Sequence, residues 1–243
     1  MALAAAVGMT AAACADSESM IFIRQVQARV STGATACVAD SSPTSLALDE
    51  GFLDVAFRTR YTASLLVGNQ LVPRGDNTSL RTETSRVEIQ GTIVRAIDDS
   101  GAVVWGPVTV PGTGFVEPAS GSTPSFGLTE TTLFQADDKM ITDLQMNPGV
   151  RHDVAIAKVF GRTLGGTDVE SGEWQFPINI CFKCLVTFPS DANSGTAQNP
   201  NCDQTATQTT AVDAPCNPGQ DDNLDCRACK EIFSSNANCE PTP

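Results

Sequence analysis

The chain has one histidine in 243 residues, His152, so histidine-based acid–base or nucleophilic catalysis has a single candidate centre. No Gly-x-Ser-x-Gly elbow and no phosphate-cradling glycine loop occur, which removes the usual short signatures of serine hydrolases and nucleotide-binding enzymes. Positive charge is also scarce. Fifteen Lys and Arg face 28 Asp and Glu, giving a formal charge of -13. A field of that sign repels nucleic-acid phosphates and anionic lipid surfaces, so nucleic acid is not an expected partner.

Cysteine, by contrast, is abundant: there are nine, and seven of them follow residue 180. So many in one chain point to an oxidising compartment, unless they hold metal. The first of them, Cys14, ends the uncharged stretch "MALAAAVGMTAAAC", which is too short to span a bilayer and reads as the apolar and cleavage part of an export signal. Ala11, Ala12, Ala13 and Cys14 resemble a bacterial lipobox, where a signal peptidase cuts before a cysteine that carries lipid. The resemblance implies residues 1–13 as signal peptide, Cys14 as the lipidated residue and 14–19 as a short tether. Because Ala15, not Asp, follows Cys14, similarity to enterobacterial sorting rules implies the outer membrane. Removing Cys14 leaves eight cysteines, enough for four disulfides: Cys37, Cys181, Cys184, Cys202, Cys216, Cys226, Cys229 and Cys239.

Hydrophobic periodicity over 20–189 is mostly that of strands. "MIFIRQVQARV" at 20–30 interleaves apolar and polar residues, and Leu53, Val55, Phe57, Tyr61, Ala63, Leu65 and Val67 alternate with polar ones in a strand expected to break near its middle. Val87, Ile89, Ile93 and Ile97, the turn "DDSG" and then "AVVWGPVTV" predict a hairpin. The Gly-, Pro- and Ser-rich run 111–128 predicts a long surface loop, and so does 68–80. Leu133, Ala136, Met140, Ile141 and Leu144 recur at helical spacing, with Asp137 and Asp138 suited to a helix N-terminus. Val154, Ile156 and Phe160 give another strand. "WQFPINICFKCLVTF" from Trp174 to Phe188 then presents one apolar face, interrupted at Pro177, which belongs at an edge or bulge.

After Pro189 the composition turns to Asn, Thr, Gln, Asp, Pro and Gly, and such a segment cannot bury enough surface to order itself without covalent staples. The expected fold is all-β: a two-sheet antiparallel β-sandwich, Ig-like or jelly-roll, over 20–189, with one short helix and an irregular, disulfide-bonded Cys-rich tail at 190–243 packed on it. "GRTLGGTDVESGEWQFPINICFKCLV" and "CNPGQDDNLDCRAC" resemble stretches of uncharacterised lipoproteins predicted from myxobacterial genomes, a family that brings no known activity.

Cys181 and Cys184 stand three apart, so on a continuous strand they point to opposite faces and do not readily share one metal. Cys226 and Cys229 lie too far downstream for a usual zinc ribbon, and no βαβ pattern surrounds either pair to suggest a thioredoxin-like centre. The favoured expectation is that Cys181 and Cys184 anchor the tail. No metal and no cofactor are expected. Arg74, Gly75 and Asp76 spell the tripeptide read by integrins, although a turn favours the same residues. Asp213, Asp221, Asp222 and Asp225 are acidic but lack calcium-loop spacing.

These features predict a lipid-anchored extracytoplasmic module of a bacterial envelope that is not an enzyme. It would bind an envelope protein or glycan through loops 68–80 and 111–128, with the membrane reached through its lipid. Two alternatives are an envelope hydrolase using carboxylates or His152, and a surface adhesin acting through Arg74 to Asp76.

Overall fold

A computed structural model describes residues 20–31, 37–75, 82–188, 202, 215–233 and 237–240. The chain runs through β1 (Ile21–Gln27), β2 (Val30–Ser31), β3 (Cys37–Val38), β4 (Ala47–Leu48), β5 (Gly51–Asp54), β6 (Arg60–Asn69), β7 (Val87–Asp98), β8 (Val103–Val116) and β9 (Ser125–Gln135). It continues through α1 (Asp138–Met146), β10 (Val150–Thr163), β11 (Asp168–Glu170), β12 (Trp174–Cys181), β13 (Val186–Thr187), β14 (Leu224–Asp225) and α2 (Cys226–Ile232). A short 3-10 turn, Ala237–Cys239, follows.

The protein is mostly β. One sheet has the order β4-β1-β6-β9 and a larger one β5-β12-β10-β7-β8 with β11 beside β10; one of the sheets curls into a half-barrel. Both contribute to a single apolar cluster. Tyr61, Ala63, Leu65 and Val67 come from every second position of β6, while Phe176, Ile178 and Ile180 come from β12. The period-two signal in these segments is therefore the signature of a buried face.

Four expectations need correction. The sheets are not wholly antiparallel: β5 runs parallel to β12, and β13 parallel to β14. The run 111–128 is not a long loop, since β8 extends to Val116 and β9 begins at Ser125. Its glycines serve a crossing of strands. A Cβ on Gly127 would lie 2.4 Å from the carbonyl oxygen of Phe115, and one on Gly114 would lie 2.6 Å from that of Leu128, so the two backbones meet where no side chain fits. There are two α-helices among the described residues, and the tail is not irregular throughout, because it supplies β14 and α2. Asp225 caps α2 by accepting the Arg227 N–H, and Cys226, Ala228 and Cys229 bury its inner face.

Elsewhere the reasons for the elements can be read residue by residue. Asp137 caps α1 by accepting the Met140 N–H at 2.7 Å. Pro177 falls in the part of β12 beyond its pairing with β5, which covers only Ile178 to Cys181, so the missing N–H faces an open edge.

Candidate functional site

The eight cysteines downstream of Cys14 form four disulfides: Cys37–Cys216, Cys181–Cys184, Cys202–Cys226 and Cys229–Cys239. Contrary to expectation, Cys181 and Cys184 do not anchor the tail but bond to each other. The argument from strand alternation fails because β12 ends at Cys181 and Lys183 turns the chain in the left-handed region, at φ 61°. The tail is fastened instead by Cys37–Cys216, which spans 179 positions and closes a loop worth about 5 kcal/mol in the chain-entropy account. The Cys181–Cys184 ring, spanning three positions, is worth only about 2 kcal/mol by the same account.

The turn at Cys181–Cys184 is built around Asp54, which is fully buried at the end of β5. Its Oδ1 accepts the N–H of Lys183 at 2.7 Å and of Ala56 at 3.1 Å, and its Oδ2 accepts that of Leu185 at 2.9 Å. Burial pushes the Asp54 carboxyl above the ordinary range, against the pull of these N–H donors. A carboxylate oxygen of Asp54 and both sulfurs lie within 4.8 Å of one another. The sulfurs are joined to each other, which removes the thiolates that a soft metal requires.

The tail also inserts polar side chains beneath β6. Gln220 accepts the Thr62 N–H at 2.9 Å and donates to the Thr62 carbonyl at 2.8 Å, imitating a strand partner. Asp221 accepts the Phe52 N–H at 2.8 Å and the Tyr61 hydroxyl at 3.0 and 3.1 Å. Burial pushes both groups up, Asp221 above the usual carboxylate range and Tyr61 above the usual phenol range. Asp222 and Asp225 are likewise engaged, with the Asn217 N–H and with Arg227 respectively.

An open cleft of about 610 Å³ lies between the β2–β3 hairpin and the region where β8 passes β9. Its floor includes Ser64 and Thr129, respectively 4% and 2% exposed, and their hydroxyls have no hydrogen-bond partner among the described residues. Arg29 and Glu130 form an ion pair at its edge, and Val38, Leu128 and Pro111 add apolar wall. Cys37 lines it too, so the Cys37–Cys216 bond ties one wall of the cleft to the tail. A cleft of this size, with a self-neutralised ion pair and hydroxyls that have no partner among the described residues, suits an uncharged polar ligand.

His152 sits exposed on β10 beside a shallower cleft of about 360 Å³, shared with Asp98, Asp99, Ser100 and Asp153. Its Nδ1 meets the Asn179 side-chain oxygen at 2.6 Å, and Asn179 donates onward to Glu50 at 2.7 Å. Asp98 and Asp153 are partners across β7 and β10 and are held differently. Ser100, the nearest hydroxyl to Asp98, holds that carboxyl low, whereas burial pushes Asp153 up against the pull of Arg151 at 2.9 Å. Asp98 is occupied by its turn, accepting from the Ser100 hydroxyl and N–H and the Ala102 N–H. Arg74 and Gly75 are exposed, and their N–H groups are bound by the Glu83 carboxylate at 3.0 and 2.8 Å. Asp76, Asp213 and Cys14 lie outside the described residues.

Neither Asp54 nor the Ser64 and Thr129 pair was marked in the sequence. Each lies in an ordinary strand pattern, and only the approach of distant elements gives it a role. No protein-family model matches the chain, and no curated protein matches it.

Proposed function

We propose that this protein is a lipid-anchored, extracytoplasmic binding module of a bacterial envelope. On this reading the two principal sheets form a β-sandwich of Ig-like or jelly-roll kind, and lipid at Cys14 holds it on the outer membrane. The observation that carries the binding assignment is the open cleft lined by Ser64, Thr113 and Thr129, the first and last without a hydroxyl partner among the described residues, on a scaffold cross-linked through Cys37–Cys216. The Ser64 and Thr129 hydroxyls lie just beneath the cleft's surface without a hydrogen-bond partner among the described residues, so a small side-chain rearrangement that brings either to a ligand recovers the free energy of an unmade hydrogen bond. The ligand class is a neutral glycan. Its hydroxyl and acetamide groups complement Ser64, Thr129 and Thr113, and it escapes the repulsion that a charge of -13 imposes on an anionic polymer. The four disulfides favour an oxidising compartment.

The test is titration of the protein with a soluble tetramer of N-acetylglucosamine, followed by NMR. Saturable shifts at β8 and β9 are expected, with affinity reduced roughly three- to tenfold in Thr129→Val and in Ser64→Ala. Absence of saturable shifts, or variants that bind like wild type, would remove the cleft from the account. Intact mass of the exported protein should show acyl chains that vanish in Cys14→Ser; their absence would remove the anchor.

A further inference from the structure

The Cys181–Cys184 bond fastens no distant segment, and its setting differs from that of the other three. Of the eight bonded cysteines, Cys184 alone is exposed; Cys181 is 1% exposed. Cys202, Cys226, Cys229 and Cys239 are all buried, and Cys37 and Cys216 are both half-buried. Cys184 therefore offers solvent the only accessible side of the Cys181–Cys184 pair, and Cys181 is closed to a thiolate approaching from outside. That asymmetry separates a reactive disulfide from a structural one, because exchange depends on which sulfur can be attacked and which then leaves.

Hydrogen bonds hold the turn alongside its disulfide. Asp54 holds the Lys183 and Leu185 N–H groups, and the Val55 N–H donates to the Cys181 carbonyl at 2.8 Å. With the bond open, these contacts keep the two sulfurs close enough to rejoin. The Leu53 carbonyl oxygen lies 3.6 Å from Sγ of Cys181, placed to accept an S–H there once the sulfur carries a proton. Opening any of the other three bonds would instead release a length of the tail.

We propose that Cys181–Cys184 is a redox-active disulfide that exchanges with the thiols of a partner, with Cys184 as the attacked sulfur and Cys181 as the leaving one. A partner thiolate attacks Sγ of Cys184 in line with the S–S bond. The new S–S bond joins partner to Cys184, and the Cys181–Cys184 bond breaks. Cys181 leaves with the electron pair and takes up the proton that the partner thiol lost, its S–H turned to the Leu53 carbonyl. A second partner thiolate then attacks the partner sulfur of the mixed disulfide and releases Cys184 as thiolate. In sum, two thiols are oxidised to a disulfide and the pair is reduced to a dithiol by two electrons; the reverse sequence reduces a partner disulfide. The reaction is independent of the cleft and of its glycan.

The experiment uses the full, oxidised chain in glutathione buffers of graded ratio, quenched with iodoacetamide and mapped by peptide mass. Cys181 and Cys184 should be alkylated at a reduced-to-oxidised ratio at least tenfold lower than that which opens any other pair, with circular dichroism unchanged. Opening together with, or after, the others would overturn the proposal. Two variants assign the sulfurs. Cys181→Ser should form a glutathione adduct at Cys184 with oxidised glutathione, whereas folded Cys184→Ser should form none at Cys181; adducts in the reverse pattern would also overturn it.

Discussion

At the scale of single residues, a buried carboxylate, Asp54, and a half-buried one, Asp221, hold the molecule to its own turn and tail. Asp54 and Asp221 are both satisfied chiefly by N–H and O–H donors rather than by cations. Burial raises both above their ordinary value of 3.8, so each binds its proton more tightly in the folded than in the unfolded chain. Stability from such a group is fully present below the unfolded value and is lost as pH rises through the folded one. Asparagine in place of Asp221 cannot titrate. The stability difference between wild type and Asp221→Asn, read from urea midpoints, should therefore fall from about pH 4 toward pH 7. A difference that grew over this range would mean that the donors outweigh burial and hold Asp221 low. None of this was visible in "CNPGQDDNLDC", where Asp221 reads as one member of an acidic loop. What distinguishes it is Tyr61, which lies 160 positions away in sequence.

At the scale of elements, alternation of apolar residues located the buried faces of β6 and β12, because a face packed on one core must repeat every second residue. It failed in β10, where Ala155, Ala157 and Val159 enter the core instead of Val154, Ile156 and Phe160, and in β7, where an irregularity between Ile89 and Gly91 shifts the core face to Val94 and Ala96 and leaves Ile93 exposed. Asp137 and Asp138 marked the start of α1 for an equally local reason. The run 111–128 misled because glycine and proline have two meanings in a β protein. They mark turns, and they also mark places where backbones cross without side chains, as Gly114 and Gly127 do. α2 was hidden by its length and by its reliance on cysteine for apolar surface. The crossing carries its own prediction. In Gly127→Ala the new methyl meets the Phe115 carbonyl, a backbone atom that cannot turn aside, so β8 and β9 must separate. A loss of about 3 kcal/mol in chemical denaturation is expected, with reduced protection of β8 and β9 amides from hydrogen exchange. A loss below about 0.5 kcal/mol would mean that the two strands separate at little cost.

At the scale of the whole molecule, the tail is part of the fold. An even set of eight cysteines could be counted in the sequence, but their connectivity could not, since eight allow on the order of a hundred pairings. The candidate cleft was illegible for a related reason: Arg29, Ser64, Pro111 and Thr129 come from four separate strand regions, and nothing local marks any of them. The pairing ties one wall of that cleft to the tail. Cys37–Cys216 draws the segment from 216 onward against β3, and Gln220 and Asp221 then complete the open side of β5 and β6. A second apolar cluster of Val186, Leu224, Cys226, Ala228, Cys229 and Cys239 sits beneath, covered in part by Phe57 and Phe233, whose rings lie 5.0 Å apart. Replacing both Cys37 and Cys216 by serine frees a loop whose closure is worth about 5 kcal/mol, yet leaves the three remaining bonds intact. The double variant should therefore denature at markedly lower urea than wild type, and cleavage by a protease should begin between residues 216 and 224. Its affinity for the N-acetylglucosamine tetramer should drop together with that protection, since one disulfide holds both the tail and the cleft wall. A variant that lost stability but bound as before would separate the staple from the site and leave the β2–β3 hairpin positioned by its own contacts alone.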